Sequence, residues 1–262
     1  MRRSGSIWFL TLLLTMLVSV PTLSSAATVA VFGDRFDLNV INNFYNSLPG
    51  TTSSILSGPL NSNNLSGVNL LWAVQPAASY TAAETTTMSN FLLGGGRIAF
   101  MGEHGQFAPN ENDRITAAIS LLGGNISIIN NVIDPLFHDA TVGNGQILSN
   151  PLTVGVNTYN YAAFAQLTLS GTAQTLMLGT DLTSIMMGYQ NIGPGSIFVI
   201  TDQNVWDNVA STGTNNNGIM FKNLLLGNTG APPVNGVPEP ASLTLMVSGL
   251  SGLAAWRMRK RA

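Results

Sequence analysis

The chain contains no cysteine, which removes disulfides, thiol nucleophiles and cysteine metal sites together. Charge is scarce as well. Asp, Glu, Lys and Arg make up 8% of the 262 residues, against roughly a quarter in an average globular domain. Six of the ten bases lie at the ends, as Arg2, Arg3, Arg257, Arg259, Lys260 and Arg261. Between Ala27 and Gly230 only Arg35, Arg97, Arg114 and Lys222 stand against eleven acids, a net of −7. Phosphate binding needs clustered Lys and Arg, so a nucleic-acid partner is excluded. A Gly-x-Ser-x-Gly elbow, a His-Glu-x-x-His pair and a Walker loop are also missing, and with them the strongest catalytic signatures. Gly94-Gly95-Gly96 closes a helical pattern instead of opening one, which argues against a phosphate cradle.

What is present begins with two unusual ends. Arg2-Arg3, an apolar run from Ile7 to Val20, Pro21 and the small residues Ser24 to Ala27 have the order of a signal peptide, so residues 1–26 are expected to be removed by signal peptidase after Ala26. At the other end, a linker over residues 229–240 holds Pro232, Pro233 and Gly236 and runs into Val237-Pro238-Glu239-Pro240-Ala241-Ser242. Residues 243–256 are apolar or small apart from Thr244, and Arg257 to Arg261 closes the chain with four bases. A helix over 241–256 would be about 24 Å long at ~1.5 Å per residue, short for a ~30 Å hydrocarbon core but workable with snorkelling arginines. The basic cluster then belongs on the cytoplasmic side and the domain outside.

The order Pro-Glu-Pro, Gly-containing apolar helix, basic cluster resembles the PEP-CTERM sorting signal. The resemblance implies an exported protein handled by an exosortase-type membrane protease, with Pro238, Glu239 and Pro240 as the recognition motif. It implies a place at the cell envelope, outer surface or biofilm matrix of a Gram-negative bacterium that secretes extracellular polysaccharide, itself a candidate partner.

About 200 residues, 27–228, remain for a folded domain, enough for one core. Thr28 to Phe32 is a short apolar run ending in Gly33-Asp34, the pattern of a buried parallel strand. Helical spacing from Leu38 to Leu48 stops at Pro49-Gly50. Strands are expected around Ser54 to Leu56 and over Val68 to Val74. Thr81-Ala82-Ala83-Glu84 is a capping box, Met88, Phe91 and Leu92 form a stripe, and Arg97 to Met101 is the next strand, which together make a βαβ crossover. A helix from about Glu111 to Leu122 and a strand over Asn125 to Ile129 follow. Beyond Asp134 the pattern weakens. Leu167–Leu169, Thr175–Leu178 and Ile185–Tyr189 suggest antiparallel strands, Gly195 to Ile200 restores a buried strand, and Gly218 to Leu226 is a final short helix. The fold class is α/β: a mostly parallel sheet flanked by helices with a β-rich extension. It resembles the class I glutamine amidotransferase-like, flavodoxin-like family, whose chemistry would be lost here because that family's nucleophile is a cysteine.

Three predicted strands end in an acid: Asp34, Glu103 and Asp202. Ligands of open α/β sheets bind beyond the carboxyl ends of the strands, so these acids are candidates for one shared crevice with His104, Gln106, Asn204 and Asp207 close in sequence. Such oxygen ligands suit Ca²⁺ or Mg²⁺, or a sugar. The competing explanation is that the acids cap helices or turns. Glu103, His104 and Asp202 are the candidates for hydrolytic chemistry, with His138 the only other histidine. Trp206 is the candidate for stacking on a sugar, whereas Trp72 belongs in the core. Two functions follow, a non-enzymatic surface or matrix protein binding glycan or a divalent ion, and a hydrolase acting on envelope or matrix polymer. A noncatalytic role within an envelope complex is a third.

Overall fold

The computed structural model describes residues 27–207 and 217–227. The predicted leader 1–26, the Pro-Glu-Pro segment and the predicted 241–256 helix lie outside the described residues. No helix among the described residues is long and apolar enough to cross a membrane.

In chain order the elements are β1 (Ala27–Gly33), α1 (Leu38–Ser47), β2 (Thr51–Ile55), β3 (Leu70–Val74), α2 (Ala82–Leu93), β4 (Arg97–Met101) and α3 (Pro109–Leu121). They continue with β5 (Ile126–Ile128), β6 (His138–Thr141), β7 (Thr158–Tyr161), β8 (Leu167–Leu169), β9 (Gln174–Leu178), β10 (Ile185–Ile192), β11 (Gly195–Ile200) and α4 (Asn217–Leu226). Nine strands make one sheet in the order β2-β1-β3-β4-β11-β10-β8-β5, with β9 also on β10. The first five run parallel, in the strand order of doubly wound flavodoxin-like sheets if β11 is counted as the fifth. From β10 outward the pairing is antiparallel. The expected βαβ crossover is β3-α2-β4, and its capping box is complete: Glu84 N–H donates to Thr81 Oγ1 and Thr81 N–H to Glu84 Oε2.

The strand expected over 125–129 is present as β5, and it pairs antiparallel with β8 at the far edge. The stretch after Asp134 also holds a separate two-stranded hairpin, β6 with β7, which the sequence pattern does not announce.

Period-two alternation along the buried strands splits the core into two layers. Val29, Val31, Leu70, Trp72, Val74 and Ile200 face α1, α4 and the β6–β7 hairpin. Ala30, Leu71, Ala73, Ile98, Phe100 and Val199 face α2 and α3. The helices return antiparallel to the parallel strands, so their first turns join the strand ends that carry the acids. Their last turns reach the opposite edge, where Ala27 N–H donates to Gly50 O and Arg97 donates to Leu225 O at the end of α4.

Candidate functional site

The parallel strands β4 and β11 lie side by side and each is followed, two residues past its end, by a buried acid. Glu103 is 2% exposed and Asp202 is fully buried. Glu103 Oε1 accepts the His104 N–H at 2.8 Å, and its Oε2 accepts the Gln203 N–H at 2.9 Å. Asp202 Oδ1 accepts the Asn204 N–H at 2.8 Å as the cap of the 3-10 turn Gln203–Trp206, and Oδ2 accepts the Ala162 N–H at 2.6 Å. Glu103 therefore ties β4 to the turn after β11, and Asp202 ties that turn to the β7–β8 connection. Asn112 on α3 closes the arrangement: its Oδ1 accepts the Glu103 N–H at 3.1 Å, and its Nδ2 donates to Glu103 O and to Asn130 Oδ1. Gly102 is required here, because a Cβ would overlap the Asn112 oxygen.

Burial dominates the acidities. It pushes Glu103 up to about 8, with the Asp202 charge adding to the rise and the two backbone N–H groups opposing it. Burial likewise raises Asp202 to about 7 against two backbone N–H groups. His104 Nε2 is 4.0 Å from Glu103 Oε1, and its Nδ1 is buried without a partner. Burial lowers the imidazole pKa, which favours the neutral ring.

Asp34 does not join these groups. It is exposed at the end of β1, and its Oδ2 accepts the Ala77 N–H at 2.8 Å from the turn after β3. Beside it, Arg35 and Arg114 meet on Glu111 at 3.0 and 3.5 Å, and Arg114 also donates to Pro76 O. Gln75, buried at the end of β3, holds a left-handed backbone (φ 36°) and donates to Gln203 Oε1. Asp34 thus holds a different turn from the one that Glu103 and Asp202 brace together, and among the described residues no group of three or more His, Asp or Glu side chains is placed to hold a metal ion.

Trp206 also requires correction. It is 2% exposed and stacks on Phe221 with ring centroids 4.0 Å apart, edge-on to Trp72 at 5.1 Å. It is a core residue, as Trp72 is. His138 packs on Tyr161 at 5.7 Å in the β6–β7 hairpin.

A cavity of about 320 Å³ opens at the strand ends, lined by residues bonded to Glu103 and Asp202 but not by either acid. His104 and Asn204 line it from the strand ends, Ala162 and Ala163 from the β7–β8 connection, and Pro135, Leu136 and Phe137 from the loop before β6. Phe137 is 57% and Leu136 71% exposed. None of these apolar residues is apparent as a site from sequence; the only available signal is an apolar pair between Pro135 and His138 in an otherwise unpatterned stretch.

Residues 236–260 match the PEP-CTERM protein-sorting motif, so the chain carries an exosortase sorting signal. No curated protein matches the chain. Among solved structures, the mmIFT52 N-terminal domain is similar over 77% of this chain and 99% of its own, at 17% identity and a TM-score of 0.60. Cytoplasmic Protein STM1381 from Salmonella typhimurium LT2 is similar over 76% of this chain and 98% of its own, at 8% identity and a TM-score of 0.55. A putative GMP synthase protein from Thermoplasma acidophilum is similar over 76% of this chain and 92% of its own, at 10% identity and a TM-score of 0.49. At identities this low, the first two likenesses speak of fold and not of activity.

Proposed function

We propose that this exported, exosortase-sorted chain is a non-catalytic surface or matrix protein that presents the strand-end pocket to a neutral ligand, a glycan of the surrounding polysaccharide being the fitting class. One observation carries this: every carboxylate oxygen of Glu103 and Asp202 accepts a backbone N–H. The acids act as internal braces for the loops that frame the pocket, and the pocket itself is lined by a lowered-pKa imidazole, a carboxamide and an exposed phenyl ring. Apolar walls with a few placed polar groups are the usual composition of a small-ligand site.

A hydrolase is the second reading, and one feature favours it: a carboxyl held at about 8 is protonated at neutral pH, as a general acid must be. Calorimetric titration of the exported chain with fragments of its host's exopolysaccharide separates the two. Binding that Phe137→Ala weakens at least about tenfold, that EDTA leaves unchanged and that occurs without chain cleavage supports the binding role. Cleavage abolished by Glu103→Gln would replace it with the hydrolase.

A further inference from the structure

Carboxylates are distributed along this fold with one polarity. Asp34, Glu103 and Asp202 follow parallel strands, and Asp37, Glu84, Glu111 and Asp113 sit at or near the starts of α1, α2 and α3, which places all seven at the strand C-terminal edge. Asp134 accepts from Thr180 in the β9–β10 turn that also holds Asp181. Asp207 ends the 3-10 turn, and Asp139 is tied through Asn160 to Asn217 at the start of α4. That accounts for all eleven acids of residues 27–227.

The opposite edge, formed by the ends of the helices and the starts of the parallel strands, has no carboxylate among the described residues. Its nearest charges are Arg97, at the start of β4, and Lys222, one turn from the end of α4. Leu93, Leu121 and Leu226, the last residues of α2, α3 and α4, are 63%, 71% and 61% exposed there. The folded chain also enters and leaves at this edge. Ala27 N–H pairs with Gly50 O, and Gly227, from which the chain continues toward the sorting motif, packs on Arg97.

We propose that, with its tail in the membrane, the domain rests with this acid-free edge against a bilayer bearing anionic headgroups, and turns the pocket away from it. The inference rests on the exported, membrane-tethered reading of the tail. Tether length alone does not dictate it, since residues 228–240 span up to about 45 Å extended and allow any face to approach. Charge makes the choice. Turning the domain over would bring carboxylates within the ~8–10 Å screening length of an anionic surface, whereas the acid-free edge offers the exposed Lys222 and three leucines, with Arg97 half-buried on the α4 carbonyls behind them.

The absence of cysteine makes the test clean. The exported chain, tail intact, is placed in nanodiscs of mixed phosphatidylglycerol and phosphatidylcholine with a fluorophore on Leu93→Cys or Leu121→Cys, and in parallel on Leu136→Cys or Leu182→Cys. Quenching by headgroup-attached nitroxide is expected to be at least about threefold stronger for the first two, a difference that shrinks in 1 M salt and in wholly phosphatidylcholine discs. Equal quenching at all four positions, or the reverse order, overturns the proposal while the chain stays with the disc. A chain that elutes without the disc overturns the tail reading and the orientation with it.

Discussion

Glu103 and Asp202 show how a buried acid can serve structure. Each takes two backbone N–H groups, one of them from a segment remote in sequence, and each is raised by burial above its ordinary value, to about 8 and about 7. Because the folded-state values exceed the unfolded ones of 4.5 and 3.8, their contribution is fully present below about pH 4 and is lost as pH rises through 7 and 8. Thermal melts should therefore show the highest stability near pH 4 and a fall from there to about pH 8 that levels off above it, each of the two groups being worth at most about 1.4 kcal/mol per tenfold change in acidity. Asp181 sets the acid limit. The Ser184 hydroxyl and neighbouring N–H groups hold it down to about 2, so its contribution is present above about pH 4 and is lost as pH falls toward 2. Glu103→Gln should remove the Glu103 share of that fall and leave the Asp202 share, while costing about 1 kcal/mol at pH 5, where one N–H loses its acceptor. A wild-type melting temperature that is level from pH 5 to 9 would contradict both statements. Asn112→Ala removes three hydrogen bonds around Glu103 and should destabilise by about 1–3 kcal/mol in denaturant titration.

At the scale of elements, the 3-10 turn after β11 is where the two halves of the sequence meet. Trp206 at its end stacks on α4 and abuts Trp72 of β3, whose Nε1 donates to Tyr45 of α1, which in turn donates to Phe221 O. Trp206→Ala should cost about 3–5 kcal/mol of unfolding free energy, whereas Phe137→Ala, exposed at the pocket, should stay within about 0.5 kcal/mol; equal losses would place Phe137 in the core. The sequence shows most of the parallel half plainly, since β1, β3, β4 and β11 carry core residues on both faces and read as continuous apolar runs, and Thr81 to Glu84 marks the start of α2. The β6–β7 hairpin is hidden because His138, Asp139, Thr158 and Asn160 dilute its apolar alternation, and its pairing spans a loop with no strand of its own. The site is half visible. Asp34, Glu103 and Asp202 do follow strands, but where their oxygens point depends on the N–H groups of Ala77, Gln203 and Ala162, which lie 43, 100 and 40 residues away. Trp206 sits beside polar residues and reads as a loop aromatic, yet the arrival of α4 covers it.

For the whole molecule, address and fold occupy different parts of the chain. The sorting motif at 236–260 lies beyond the last residue of the described fold, Gly227. Deleting Val237 to Ala262 should leave the melting temperature of the domain unchanged within about a degree and move the protein from the membrane to the soluble fraction; a destabilised product would mean the tail packs on the domain. Glu103 and Asp202 are internal braces, and in the proposed function a ligand meets the pocket lined by their neighbours His104 and Asn204. The direct measurement is a titration of their side-chain carboxyls by carbon-13 NMR on the exported chain. Midpoints should lie far above the ordinary carboxylate range, toward about 8 for Glu103 and about 7 for Asp202, and should be unmoved by millimolar Ca²⁺. Midpoints near 4, or a shift on adding Ca²⁺, would show carboxylates open to solvent and available to a ligand, and would contradict the bracing role.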